Sequence, residues 1–240
     1  MSDRRKSPFV PLTIAAVAVI ALIATLVGSL GSDDSEDQAS AASSSQAGEA
    51  GQVPDDGWEQ LARRETDDPM AMGDVDAPVV MLAYSEFQCP FCGKFARDTE
   101  PALIEKYVED GTLRIEWRDF PYLGPESTTA AQGGRAAAAQ DSFWAFHDEM
   151  YADPLPPNSG NLDEDHLAGI AEKLGLDVEQ FRADMTSEAT EQAIREDFSQ
   201  GQAIGVTGTP AFVINGKPVI GAQPIEVFEQ AIEQAAAEAG

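Results

Sequence analysis

The sequence predicts an α/β domain, a sheet flanked by helices, and three observations carry that prediction. Val79 to Tyr84 (VVMLAY) is an unbroken apolar run of strand length, suited to a buried central strand. Ser127 to Ile204 is a long block of helical pattern. Ala211 to Ile214 and Pro218 to Ile220 flank Asn215-Gly216, a strong hairpin signal, with an amphipathic segment behind them.

The chain opens differently. Phe9 to Leu30 holds 22 residues without a charge, dense in Ala, Val, Ile and Leu. As a helix it spans roughly 33 Å, enough to cross a hydrocarbon core of about 30 Å. Arg4, Arg5 and Lys6 precede it, and Asp33, Asp34, Glu36 and Asp37 follow. The positive-inside rule then keeps the N-terminus in the cytoplasm and puts the rest outside. The rival is a cleaved signal peptide, whose apolar core runs about 7–15 residues. Here the nearest A-x-A site, Ala39-Ser40-Ala41, lies beyond the acidic cluster, and no cysteine follows the run to carry a lipid. Residues 1–30 therefore read as a cytoplasmic stub and an uncleaved, single transmembrane anchor.

Residues 31–70 are rich in Ser, Ala, Gly, Asp and Glu, with too little apolar material for folding to offset chain entropy. They read as an acidic, flexible linker, with a short helix around Trp58 to Arg64. Residues 71–240 then form the domain. After Cys89-Pro90 a helix is predicted, with Cys92, Ala96, Thr99, Leu103 and Tyr107 along one face and Pro101 kinking it. Gly111 ends it, and the alternating Leu113 to Asp119 (LRIEWRD) is a second strand. In the helical block, Asp163 is an N-cap with Leu162 and Leu167 as a staple, Gly175 a stop, and Asp177 with Gln180 a new start. Pro224 opens a last helix with Ile225, Phe228, Ile232 and Ala235 inward.

Composition excludes more than it names. Fifteen basic residues against 42 acidic give a net charge of −27. That opposes nucleic-acid binding, which draws its affinity from clustered Lys and Arg. Two cysteines cannot staple a disulfide scaffold, and two histidines leave little for a metal site.

Those two cysteines are Cys89 and Cys92, in Cys89-Pro90-Phe91-Cys92 at the strand-to-helix junction. Two intervening residues in a first helical turn bring the sulfurs close enough to join. Cys89 meets unpaired N–H groups and the positive end of the helix dipole, which favour a thiolate. Cys92, one turn in, is expected to be shielded. An exposed attacking sulfur and a shielded resolving one are what thiol–disulfide exchange needs. A purely structural disulfide would close too short a loop to stabilise much. Zinc would need His147 and His166 as well, at spacings that match no finger, and these histidines read as decorating helices. A second element, Gly205-Val206-Thr207-Gly208-Thr209-Pro210, leads into a short strand. A proline there removes a backbone donor and bares neighbouring main-chain groups to an extended substrate.

Gly73 to Leu103 (GDVDAPVVMLAYSEFQCPFCGKFARDTEPAL), with GVTGTPAFVINGK at 205–217, resembles the DsbA-like thiol–disulfide oxidoreductases. More narrowly it resembles the membrane-anchored or secreted branch of Gram-positive bacteria, over about residues 70–238. The resemblance implies a thioredoxin-like fold with an all-helical insertion at about 127–204. It also implies that Cys89 attacks, Cys92 resolves, and Thr209-Pro210 is cis against the disulfide. Many relatives carry His where this chain has Phe91, and a buried acid where it has Ala83. Glu86 is the carboxylate nearest the cysteines and could relay a proton. The reading preferred is a solvated loop residue, since Asp and Glu are rarely buried unpaired. Phe87 and Phe91 with Val206 are candidates for an apolar platform that receives unfolded substrate.

The expected activity is an oxidase: it donates the Cys89–Cys92 disulfide to secreted or cell-envelope proteins and is recharged by a membrane quinone-linked thiol oxidase. No cofactor beyond the cysteine pair is expected, and the protein is read as a monomer. The alternative is a tethered reductase serving haem attachment or disulfide repair. An isomerase would call for a dimerisation domain where residues 31–70 are low-complexity. A non-catalytic anchored chaperone would have no need of both sulfurs.

Overall fold

The computed structural model describes residue 57 and residues 60–240. The predicted membrane anchor and most of the linker lie outside the described residues. Among those described, no helix is long and apolar enough to cross a membrane.

Five strands form one sheet: β1 (Ala71–Met72), β2 (Val79–Ser85), β3 (Leu113–Asp119), β4 (Ala211–Ile214) and β5 (Lys217–Ile220), in the spatial order β1-β3-β2-β4-β5. Central β2 runs parallel to β3, with Val79 opposite Leu113, and antiparallel to β4, with Ala83 opposite Phe212. The apolar run of β2 is explained by burial on both faces. Val79, Met81 and Ala83 pack with Phe95, Phe212 and Phe228 on one side. Val80, Leu82 and Tyr84 pack with Phe120, Val206 and Val213 on the other.

The helix after the cysteines is divided. Helix α1 (Pro90–Asp98) ends at Thr99, α2 (Glu100–Leu103) carries Pro101 in its first turn, and a π-helical segment, Ile104–Val108, completes the element. Pro101 has no N–H to give to Arg97, so the break falls there. Cys92, Thr99, Leu103 and Tyr107 are buried along one face, as the periodicity implied, while Ala96 on the same face is half-buried.

The helical block comprises α3 (Pro125–Ala138), α4 (Phe143–Ala152), α5 (Glu164–Lys173), α6 (Val178–Met185) and α7 (Glu188–Ala203). Asp163 accepts from His166 N at 2.9 Å and Asp177 from Gln180 N at 3.0 Å, each satisfying an unpaired helix-start donor. Most of this insertion packs round one aromatic cluster, with Trp117, Phe143, Phe146 and Tyr151 at its heart. Asn215 and Gly216 both take positive φ, 42° and 85°, as a two-residue hairpin turn requires. Helix α8 (Ile225–Ala239) buries Phe228, Ile232 and Ala235 against the sheet.

Charged β3 is the main departure. Arg114, Glu116 and Arg118 alternate with Leu113, Ile115 and Trp117, yet every residue of the strand is buried. Residues 61–65 and α7 cover the polar face. Glu116 accepts from the main-chain N–H of Arg63 and Arg64, both at 2.9 Å, and pairs with Arg114 at 3.0 Å and Arg118 at 2.7 Å. Asp197 of α7 pairs with Arg63 and Arg135, and Arg135 also reaches Asp119 at 2.6 Å. Residues 61–64 are consequently not helical, contrary to expectation: their N–H groups are committed to Glu116 rather than to a helix. Arg114 and Arg118 also bond the carbonyls of Glu65 and Leu61, so this end of the presumed linker is bound to the sheet.

Candidate functional site

The end of β2 feeds a short turn in which Cys89 N donates to the carbonyl of Glu86 at 3.3 Å. Cys89 is the N-cap of α1, with Pro90 at the first helical position, where no N–H is missed. Its sulfur accepts from Cys92 N at 3.4 Å and donates to the carbonyl of Thr209 at 3.2 Å. The Thr209-Pro210 bond is cis, and Pro210 is anchored through its carbonyl to Gly221 N at 2.8 Å. Both cysteines are free thiols.

Cys89 is less open than expected. It is only 3% exposed, because the carbonyl of Thr209 sits against its sulfur. The two thiols differ in acidity all the same. The hydrogen bond from Cys92, helped by Thr209 and the N–H groups of Phe91 and Cys92, outweighs burial and pulls the Cys89 thiol down to about 6. Burial and the neighbouring Cys89 push Cys92 well above the ordinary thiol range. The hydroxyl of Thr209 is buried without a partner, a donor in reserve for an ionised Cys89.

Glu86 is not the solvated residue the sequence suggested. It is 2% exposed, its Oε2 accepts from the hydroxyl of Ser127 in the first turn of α3, and its Oε1 is buried without a partner. Burial, opposed by the Ser127 bond and aided by negative charge on Cys89, raises its carboxyl to about 7. Ser127 is held in turn by Gln88 Nε2 at 2.8 Å, and Gln88 Oε1 accepts from Asn158 N at 2.7 Å. The insertion thus buries Glu86 and partners one of its two oxygens.

The apolar platform is only partly present. Phe91 is 64% exposed beside the cysteines. Phe87 is buried instead, stacked on Trp117 at 5.1 Å and edge-on to Phe146 at 5.8 Å. Val206 packs beneath the loop with Tyr84 and Phe120. Among the described residues the other exposed large apolar side chains are Tyr122, Ile220 and Val227. Ile220 lies opposite Ala211, which follows Pro210.

Several neighbours of the site carry no local sequence signal. Tyr122 lies close enough to Cys89 and Thr209 that, after burial, the charge on Cys89 is the next cause raising its hydroxyl. Tyr151 donates to the carbonyl of Glu86 at 2.9 Å and meets Ser85 Oγ at 3.4 Å. His147 does not decorate a surface: it is buried among Trp117, Trp144 and Tyr151, with Nε2 at 3.6 Å from Glu100. His166 is exposed on α5. Among the described residues no group of three or more His, Cys, Asp or Glu could hold a metal ion.

A buried cysteine pair at a helix start, facing a cis-proline loop, defines a thioredoxin-type redox site. The thioredoxin family model matches residues 65–234, and the chain belongs to this family, among its DsbA-like thiol–disulfide oxidoreductases. It is 34% identical over 150 residues to a probable disulfide bond formation protein D of Bacillus anthracis, covering 61% of this chain and 69% of that one. Oxidised BdbD from Bacillus subtilis superimposes with a TM-score of 0.64 at 20% identity, covering 71% of this chain and 94% of that one. A thioredoxin-like oxidoreductase from Silicibacter pomeroyi gives 0.61 at 26% identity, over 72% of this chain and 99% of that one.

Proposed function

We propose that the chain is an extracytoplasmic oxidase that passes the Cys89–Cys92 disulfide to unfolded secreted or cell-envelope proteins. A client thiolate attacks Sγ of Cys89; the bond to Cys92 breaks, and Cys92 leaves and takes up a proton. A second client thiolate then attacks the client's own sulfur and releases Cys89 as a thiolate. The client loses two electrons and the cysteine pair gains them. In the reverse direction Cys89 is the attacking sulfur and Cys92 the resolving one.

The observation that carries this reading is the placement of Cys89 as the N-cap of α1, its sulfur accepting from Cys92 N at 3.4 Å and facing the cis Thr209-Pro210 bond, an arrangement that pulls its thiol down while burial pushes Cys92 up. A thiolate stable at neutral pH is a good leaving group, and it favours the reduced protein, which makes the disulfide oxidising. Phe91 and the exposed Tyr122 and Ile220 offer apolar contact to an unfolded chain. The disulfide is the whole redox centre in this reading, without further cofactor. The anchor at Phe9 to Leu30 holds the domain, as a monomer, near a membrane quinone-linked thiol oxidase that recharges it.

Trapping tests the roles. Cys92→Ser should accumulate mixed disulfides between Cys89 and client proteins, and Cys89→Ser should trap none. Equal trapping by both would overturn the assignment. The anchor is tested separately, by whether the mature protein keeps its N-terminus and pellets with membranes.

A further inference from the structure

A groove of about 220 Å³ opens beside Cys89, and neither Thr209 nor Pro210 contributes to it. One wall is the start of α1, with Cys89, Gly93 and Arg97; the other is the segment Pro154–Pro157 between α4 and α5; Phe87, Gln88 and Pro90 complete the lining. Pro154, Pro156 and Pro157 have no N–H, so that wall is poor in main-chain donors and offers apolar surface, with Leu155 among them.

Arg97 gives the groove its sign. In a chain with 42 acidic residues and 15 basic, Arg63, Arg114, Arg118, Arg135, Arg182 and Arg195 each hold a carboxylate. Arg97 is exposed and forms no ion pair among the described residues. Its Nη1 donates to the carbonyl of Tyr151 at 2.8 Å, one of the acceptors left open at the end of α4. Gly93 makes that reach possible: a Cβ there would come within 2.8 Å of Arg97 Nη1 and 3.2 Å of Tyr151 Cδ1. The guanidinium is thus fixed by one bond, with its remaining donors available.

We propose that this groove receives the client segment next to the cysteine being joined to Cys89, with an apolar side chain on Leu155 and the prolines and a carboxylate on Arg97. The inference rests on the reading of the chain as a disulfide donor to proteins. Its geometric basis is that Cys89 is itself part of the wall, so a polypeptide bonded to that sulfur lies at the mouth. An acidic or neutral-apolar flank is then favoured over a basic one.

The test uses the full-length oxidised chain and two dithiol peptides that differ only in a Leu-Glu or Leu-Lys flank beside the first cysteine, with dithiothreitol as a thiol that needs no groove. The Glu peptide should react roughly two- to fivefold faster, the scale of an exposed ion pair. Arg97→Glu should invert the order, Arg97→Gln should abolish it, and Leu155→Asp should slow both peptides, all with dithiothreitol rates unchanged. An unaltered preference in both Arg97 variants would overturn the proposal. So would variants that slow only recharging of the reduced chain, which would assign the groove to the recycling partner. Failure of the unmodified chain to oxidise dithiothreitol would instead remove the reading underneath it.

Discussion

The carbonyl of Thr209 accepts from Cys89 Sγ at 3.2 Å while the hydroxyl of the same threonine is buried with no partner. The thiol form of Cys89 satisfies the carbonyl; the thiolate can satisfy the hydroxyl. One residue thus serves both protonation states. Thr209→Val removes the donor to the anion alone. The Cys89 pKa should rise by on the order of one unit, about 1.4 kcal/mol, and the reduction potential should fall by about 30 mV. Thiolate absorbance against pH, with equilibration against glutathione, checks both. An unchanged pKa would mean that Cys92 and the helix start hold the anion unaided.

Phe91 is exposed beside Cys89 and has no group that can donate a hydrogen bond to the sulfur. Phe91→His introduces one that can also carry charge. The Cys89 pKa should drop and the potential should rise together, since stabilising the reduced form makes the disulfide more oxidising. The same titration and redox equilibration measure it. Opposite movement of either quantity would show that the helix-start donors and Glu86 set the poise.

Glu86 holds its proton up to about pH 7 in the folded chain, against an ordinary value near 4.5. Between those values the folded state binds more protons than the unfolded one. Stability therefore declines as pH rises from about 4.5 to about 7, by up to about 1.4 kcal/mol per unit from this group. Glu86→Gln removes that slope, so the variant should gain on the parent across the window and hold its gain above it. Urea titrations at several pH values would show this. With the negative neighbour gone, the Cys89 pKa should also fall.

Glu116 behaves in the opposite sense. Burial would raise its carboxyl, but the N–H groups of Arg63 and Arg64 and the Arg118 guanidinium prevail and bring it to about 2. The stability it lends is complete above about pH 4.5 and is lost as pH falls toward 2. Glu116→Gln leaves Arg114 and Arg118 buried without their partner and should cost about 3–5 kcal/mol at neutral pH. Denaturant midpoints check the cost. A loss below 1 kcal/mol would mean that the carbonyls of Leu61, Glu65 and Gly73 suffice to hold those arginines.

Phe87 tests packing against substrate contact. Buried against Trp117, Phe146 and Tyr151, it should cost about 3–5 kcal/mol when cut to Ala. The Cys89 pKa should hardly move. Normal stability with weakened client transfer would restore the ring to the client-facing surface.

Features that depend on near neighbours could be read from the chain alone. The cap at Asp163 is met by His166, the turn at Asn215-Gly216 needs only its own positive φ values, and the break after α1 follows from Pro101. Cys89 and Cys92 share one helical turn, so their juxtaposition was legible in their spacing. The tertiary structure alone decided which polar groups went inside. Glu86 is buried because Ser127, 41 residues on, supplies a hydroxyl and α3 covers it. Arg114, Glu116 and Arg118 alternate like residues facing water, yet the segment before β1 and Asp197, 78 residues beyond Asp119, close over them. Burial of a charge depends on what distant chain brings to meet it, and no local pattern encodes that.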